Sequence, residues 1–149
     1  MIYRLTVPLE AAKSLPEFLL TQDQRLSKQK TVFVVDDDPG MLKGVKRLLR
    51  AHGYDCLLFQ SGEALEDHGD FEHAICVILD INLIEESGID VRCRLKEAGV
   101  SVPVIFITGN DNPATRRAAI ATGCLAYLTK PFVAESLIEP VNRAAAGTA

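Results

Sequence analysis

Polar residues with useful chemistry come directly after several apolar runs of this chain. Three aspartates, residues 36–38, come after the run VFVV, and Asp80 comes after the run CVIL. Thr108 comes after VIFI, and Lys130 stands at the end of a later, more mixed run. A carboxylate can accept a phosphoryl group, a lysine can neutralise its charge, and clustered carboxylates can bind a hard divalent cation. These residue types indicate phosphoryl chemistry, provided that the fold brings them together.

From Thr31 onward, short β-branched apolar runs alternate with longer segments of helical period, which is typical of an α/β fold with a parallel sheet. The first, third and fourth runs are continuously apolar, as strands covered on both faces should be, and the other two suit sheet edges. We predict a flavodoxin-like, doubly wound, five-stranded parallel sheet of order 2-1-3-4-5 with helices on both faces. The predicted strands are residues 31–36, 54–60, 74–80, 102–108 and 125–129. The first predicted helix begins at Pro39 and ends before Gly53. The other four cover residues 62–68, 89–98, 113–122 and 134–145, and Pro140 should either kink or shorten the last of them.

In such a sheet the carboxyl ends of the strands form the binding edge. Asp36, Asp37 and Asp80 would lie there within several ångströms of one another, where each like-charge pair costs about 4 kcal/mol at an effective dielectric of about 20. The cluster therefore needs a cation, and Mg²⁺ is the expected metal because it takes oxygen ligands and keeps positions for a phosphate oxygen. Asp80 is the predicted nucleophile, with Lys130 neutralising the phosphoryl oxygens and Thr108 donating a hydrogen bond to one of them.

Four stretches resemble the receiver domain of bacterial two-component response regulators. They are VVDDD at residues 34–38, VILDINL at 77–83 with the later Gly88, FITG at 106–109, and AYLTKPF at 126–132. The resemblance runs from about residue 31 to residue 145. It implies that Asp36 and Asp37 form the acidic metal-binding pair, that Asp80 is the phosphoacceptor and a metal ligand, and that the backbone carbonyl of Asn82 completes the protein ligands.

The same resemblance assigns the switch. It implies that the Thr108 hydroxyl, followed by the mobile Gly109, moves toward the phosphate, that Tyr127 moves inward after it, and that Lys130 bridges to the phosphate. It also implies a cis Lys130–Pro131 peptide bond. One departure is Leu83-Ile84, where the family usually has Met-Pro, and this should loosen the loop that ends at Gly88.

The function implied by the resemblance is that of a phosphoprotein in a two-component phosphorelay, phosphorylated by a histidine kinase or a phosphotransfer protein. We expect no enzyme activity beyond its own phosphorylation and dephosphorylation. Because only 18 residues come after Pro131, we expect no effector there and an output through a downstream protein target or a phosphorylation-dependent homodimer.

Composition bounds the remaining expectations. The 149 residues suit one domain, residues 31–149, preceded by an arm or linker at residues 1–30 whose role is open. A net charge of −4 argues against nucleic acid as a partner. No secretory signal or membrane-spanning run is visible, so we expect a soluble, cytoplasmic protein with no membrane contact. The four cysteines lack paired spacing and are predicted to be buried free thiols.

Other functions of similar folds fit these residues less well. A haloacid-dehalogenase-like phosphatase would use the Asp-x-Asp of residues 36–38, but it needs a late acidic pair, and only Glu135 and Glu139 are acidic after Asp111. A flavin carrier would need a hydroxyl- and glycine-rich phosphate loop where the acidic DDDPG stands. A pseudo-receiver scaffold that is not controlled by phosphorylation, or a phosphate sink or relay, stays open as an alternative.

Overall fold

The computed structural model describes residue 19 and residues 31–147. The predicted arm therefore lies outside the described residues except for Leu19, and the division into arm and domain stays a prediction. Strands and helices alternate strictly from residue 31. The strands are β1 Thr31–Val35, β2 Asp55–Phe59, β3 Ala74–Asp80, β4 Val104–Thr108 and β5 Ala126–Thr129. The helices are α1 Pro39–Ala51, α2 Gly62–His68, α3 Gly88–Glu97, α4 Pro113–Ala121 and α5 Ala134–Ala145.

The five strands form one parallel sheet of order β2-β1-β3-β4-β5, which confirms the predicted fold. The mixed strands β2 and β5 lie at the edges, and the continuously apolar strands lie inside. β4 begins two residues later than predicted because Pro103 has no N–H to donate to a neighbouring strand. β2 begins after Tyr54, whose amide instead donates to the Leu49 carbonyl in the turn after α1.

Helices cover both faces of the sheet. Leu42, Val45 and Leu49 of α1 pack with Leu137 and Val141 of α5 against one face. Leu65 of α2, Val91 and Leu95 of α3 and Ala119 of α4 belong to the cluster on the other face. Because the inner strands are apolar on both sides, the polar residues at their carboxyl ends are held at a rigid edge.

Helix caps lie directly beside that edge. Asp38 caps α1 by accepting a hydrogen bond from the Gly40 amide at 2.9 Å, and Ser87 caps α3 through the Ile89 amide. The last helix continues through the buried Pro140 to Ala145, so the proline does not shorten it.

All four cysteines are free thiols, but they are not all buried. Cys76 is buried, Cys56 and Cys124 are half-buried, and Cys93 is exposed on α3. The expectation of burial is wrong for Cys93, since its position falls on the outer face of that helix. Within the described part of the chain, no helix is long and apolar enough to cross a membrane.

Candidate metal and phosphoacceptor site

Three carboxylates converge at the carboxyl edge of the sheet. Asp36 and Asp37 come after β1, and Asp80 ends the adjacent strand β3. One carboxylate oxygen from each lies within 4.8 Å of the others. Asp36 and Asp80 are only 3% and 4% exposed, while Asp37 is half-buried at the mouth of the cluster. The structure thus brings together the three acidic residues that the sequence singled out.

Lys130 reaches into this cluster from the end of β5. Its Nζ donates to Asp36 Oδ2 and to Asp80 Oδ2, both at 3.1 Å. Its own amide donates to the Thr108 carbonyl at 2.8 Å, and the Lys130–Pro131 peptide bond is cis, as the resemblance implied. Burial alone would lower the pKa of Lys130, but hydrogen bonds and charge from Asp80 and Asp36 outweigh it and raise that pKa. The lysine is therefore a fixed cation in the site.

The Asp80 carboxylate is bonded through both oxygens. Oδ2 accepts from Lys130, and Oδ1 accepts from the Asn82 amide at 2.9 Å. Burial raises the pKa of Asp80, and the Asp36 charge adds to the rise, while the Asn82 amide and Lys130 oppose it. The hydrogen bonds from the Asn82 amide and from Lys130 also fix the orientation of the Asp80 carboxylate in the pocket.

The donor set fits a Mg²⁺ ion. Opposite ligands of an octahedral magnesium lie about 4 Å apart, so small side-chain movements can bring oxygens within 4.8 Å of one another onto one ion. Asp36, Asp37, Asp80 and the Asn82 carbonyl would hold it. Three carboxylates against the single charge of Lys130 leave two negative charges, which one divalent cation balances. When bound, the ion would neutralise phosphoryl oxygens and help to orient them.

Thr108 faces the site from the end of β4. Its side chain is fully buried, and Oγ1 donates to the side-chain oxygen Oδ1 of Asn82 at 2.6 Å while accepting from the Asn110 amide at 3.0 Å. The sequence implied a role only for the backbone carbonyl of Asn82, and nothing in its pattern indicated this side-chain contact. A Cβ at Gly109 would lie 3.9 Å from Lys130 Cδ, an ordinary contact, so glycine there is not required by space.

Gly88 is required by space. A Cβ at this position would overlap the backbone oxygen of Asp80. The glycine lets α3 begin directly against the end of β3, which brings the loop between them back over the carboxylates.

Tyr127 lies apart from the carboxylate cluster, on β5 facing α4. Its hydroxyl donates to Asp111 Oδ1 at 2.8 Å, and Asp111 Oδ2 pairs with Arg116 Nη2 at 2.7 Å. The Arg116 guanidinium lies 5.0 Å from the centre of the Tyr127 ring. Burial, together with the hydrogen bond and charge of Asp111, raises the pKa of Tyr127 to about 12. Neither Asp111 nor Arg116 was predicted from the sequence as a partner of this tyrosine.

This fold is that of a receiver domain. The chain matches the family model of the response regulator receiver domain over residues 32–142, and it belongs to that family of two-component signalling proteins. It is 36% identical over 123 residues to the response regulator protein TmoT of Ectopseudomonas mendocina, covering 81% of this chain and 56% of TmoT. The BeF3-activated receiver domain of DrrB has a TM-score of 0.68 and 30% identity, covering 76% of this chain and 95% of that one.

The chain spans about half the length of the curated relatives it matches. It is also 28% identical over 111 residues to the cell cycle transcriptional regulator CtrA of Caulobacter vibrioides, covering 74% of this chain and 48% of CtrA. Because CtrA is named as a transcriptional regulator, this similarity argues against the expectation of no nucleic acid partner. The expectation rested on the net charge of these 149 residues alone, and it stays a prediction for them.

Proposed function

We propose that Asp80 accepts a phosphoryl group from a histidine kinase or phosphotransfer protein in a Mg²⁺-dependent reaction. The observation that carries this proposal is that Lys130 Nζ lies 3.1 Å from both Asp36 and Asp80, beside the more exposed Asp37. A carboxylate nucleophile, a fixed cation and a set of magnesium ligands therefore share one pocket. The chain's own chemistry is limited to gaining and losing this phosphoryl group.

In the transfer, an Asp80 oxygen forms a bond to phosphorus while the bond from phosphorus to the donor's nitrogen or oxygen breaks. The donor atom keeps that electron pair. Lys130 holds its positive charge beside the nucleophile, where it can pair with a phosphoryl oxygen after transfer. The Thr108 hydroxyl can then leave Asn82 and donate to another phosphoryl oxygen.

We infer an output through protein binding. Movement of Thr108 would change the packing between β4 and β5, and Tyr127 lies on the neighbouring strand, where its ring could move in response. The surface expected to change comprises α4, β5 and α5, which would contact a downstream protein target or a second copy of the chain. The free cysteines support a reducing compartment such as the cytoplasm.

Intact-mass measurement with acetyl phosphate tests the proposal. With Mg²⁺ we expect the full chain to gain one phosphoryl group, and with Mg²⁺ removed by EDTA we expect little or no gain. Asp80→Asn, which keeps the side-chain shape and removes the nucleophile, should gain none. No gain by the wild-type chain from acetyl phosphate or from a phosphorylated kinase would favour the pseudo-receiver scaffold.

A further inference from the structure

The loop from residue 82 to residue 87 carries the Asn82 carbonyl and joins β3 to α3. Its base is fixed by an isolated antiparallel bridge between Asn82 and Ser87 and by the Gly88 amide, which donates to the Ile81 carbonyl at 2.9 Å. Leu83 packs partly against the hydrophobic cluster under α2 and α3, whereas Ile84 next to it is 85% exposed. The outer part of the loop, beyond Leu83, therefore depends on polar contacts for its position.

A single arginine supplies such a contact. Arg94 of α3 forms an ion pair with Glu86 of the loop through Nη2. The same guanidinium donates to both carboxylate oxygens of Glu66 on α2, at 2.8 and 3.2 Å. Among residues 31–147, Glu86 makes the only ion pair that leaves this loop. We name the Glu66–Arg94–Glu86 group the arginine clasp.

The backbone of α2 leaves room for the clasp. A Cβ added at Gly62, the first residue of α2, would lie 2.6 Å from Glu86 Oε2 and 2.5 Å from Val91 Cγ2. Any larger residue at position 62 would thus force Glu86, Val91 or both to shift. The glycine leaves the space that the Glu86 carboxylate occupies, and the ion pair with Arg94 holds the carboxylate there.

We propose that Arg94 is a positioning residue for the metal site. By drawing Glu86 onto α3 it keeps the 82–87 loop closed over the carboxylates, with the Asn82 carbonyl aimed at the place where Mg²⁺ binds. Without the guanidinium, Glu66 and Glu86 face each other as like charges, and the loop tip opens. This inference rests on the proposed function for its metal, but loop closure is a property of the metal-free chain.

A purely electrostatic effect of Arg94 on Mg²⁺ affinity would have the opposite sign to the positioning effect. Arg94 is a cation near a cation site, so its removal should strengthen Mg²⁺ binding if it acted only through its charge. Loss of a positioning contact should weaken binding instead, as loss of the outer contacts of metal ligands does. The direction of the change therefore separates positioning from long-range electrostatics.

The first measurement is amide exchange on the metal-free full chain. In Arg94→Ala, exchange over residues 82–87 should accelerate roughly three- to fivefold, the size expected for a partly exposed ion pair. Arg47→Ala removes the same charge from an exposed position on α1 and should leave the loop unchanged. Glu66→Gln keeps the Arg94–Glu86 pair and should also leave it nearly unchanged.

The second measurement is a Mg²⁺ titration of the same variants. Arg94→Ala should bind Mg²⁺ roughly three- to tenfold more weakly, Arg94→Lys should fall between it and wild type, and Arg47→Ala should match wild type. Unchanged loop exchange, or tighter Mg²⁺ binding in Arg94→Ala, would overturn the inference. Failure of the proposed function would show differently, because wild type itself would then bind no Mg²⁺ or take no phosphate.

Discussion

Asp37 is the most accessible of the three clustered carboxylates, and within residues 31–147 no hydrogen bond holds its side chain. We expect Asp37→Asn to weaken Mg²⁺ binding about tenfold, or about 1.4 kcal/mol, because one of three ligand charges is lost while shape is kept. Phosphorylation from acetyl phosphate should slow at the same Mg²⁺ concentration and recover when Mg²⁺ is raised. A Mg²⁺ titration and the rate of mass gain give the two readings.

The matched control for Asp37 is its neighbour. Asp38→Asn removes the same charge one residue away, and asparagine can still cap α1 as Asp38 does. It should leave Mg²⁺ affinity within about twofold of wild type, because a charge near solvent is strongly screened. Equal weakening in both variants would mean that general charge, and not ligation by Asp37, attracts the metal.

Lys130 is expected to separate phosphorylation from switching. In Lys130→Met the metal still offsets much of the carboxylate charge, so acetyl phosphate should still label Asp80, more slowly than in wild type. The bridge from phosphate to β5 is lost, and the exchange changes that beryllofluoride causes over residues 108–130 should disappear. A variant that keeps those changes would show that Lys130 only neutralises charge.

At the scale of elements, α4 and β5 are joined by the contacts of Tyr127 with Asp111 and Arg116. Burial and the Asp111 carboxylate disfavour the phenolate and raise the Tyr127 pKa to about 12. We expect Asp111→Asn to lower that pKa, since the negative charge is removed, so tyrosinate absorbance should appear at lower pH. Asp90→Asn, on the exposed face of α3, is the charge-matched control, and an unchanged titration in Asp111→Asn would refute the contact.

The same elements should carry the response to phosphate. Beryllofluoride with Mg²⁺ should draw the Thr108 hydroxyl from Asn82 and change amide exchange in β4, α4 and β5, roughly residues 108–130. The physical reason is that Thr108 is fully buried and hydrogen-bonded to Asn82 at 2.6 Å, so it cannot move without repacking. Changes confined to the neighbourhood of Asp36 and Asp80 would indicate a phosphate sink or relay.

For the molecule as a whole, hydrophobic periodicity and the residues at strand ends were enough to predict the sheet and the acidic cluster at its edge. Apolar runs indicated which strands lie inside the sheet, and parallel strands necessarily bring residues such as Asp36 and Asp80 to one edge. Contacts between helices and loops could not be read in this way. Thr108 and Asn82 are 26 residues apart, Tyr127 and Asp111 are 16 apart, and Arg94 and Glu66 are 28 apart. Such pairs depend on how the helices pack and on side-chain rotamers, which leave no periodic signal.

The exposure of Cys93 is a second feature that the sequence pattern did not predict. A cysteine in a mixed helix can face the core or solvent. Val91 and Leu95, four residues apart, form the buried face of α3, and Cys93 between them lies on the outer face. α3 begins at Gly88, one residue before the predicted start, because that glycine packs on β3.

The central claim is that Asp80, and no other residue, accepts the phosphoryl group. The most direct test is to phosphorylate the full chain with acetyl phosphate and Mg²⁺, reduce the acyl phosphate with borohydride, and locate the resulting homoserine by peptide mass spectrometry. We predict homoserine at position 80 in wild type and none anywhere in Asp80→Asn. Homoserine at position 36 or 37, or phosphate that resists borohydride on a histidine or hydroxyl side chain, would contradict the account.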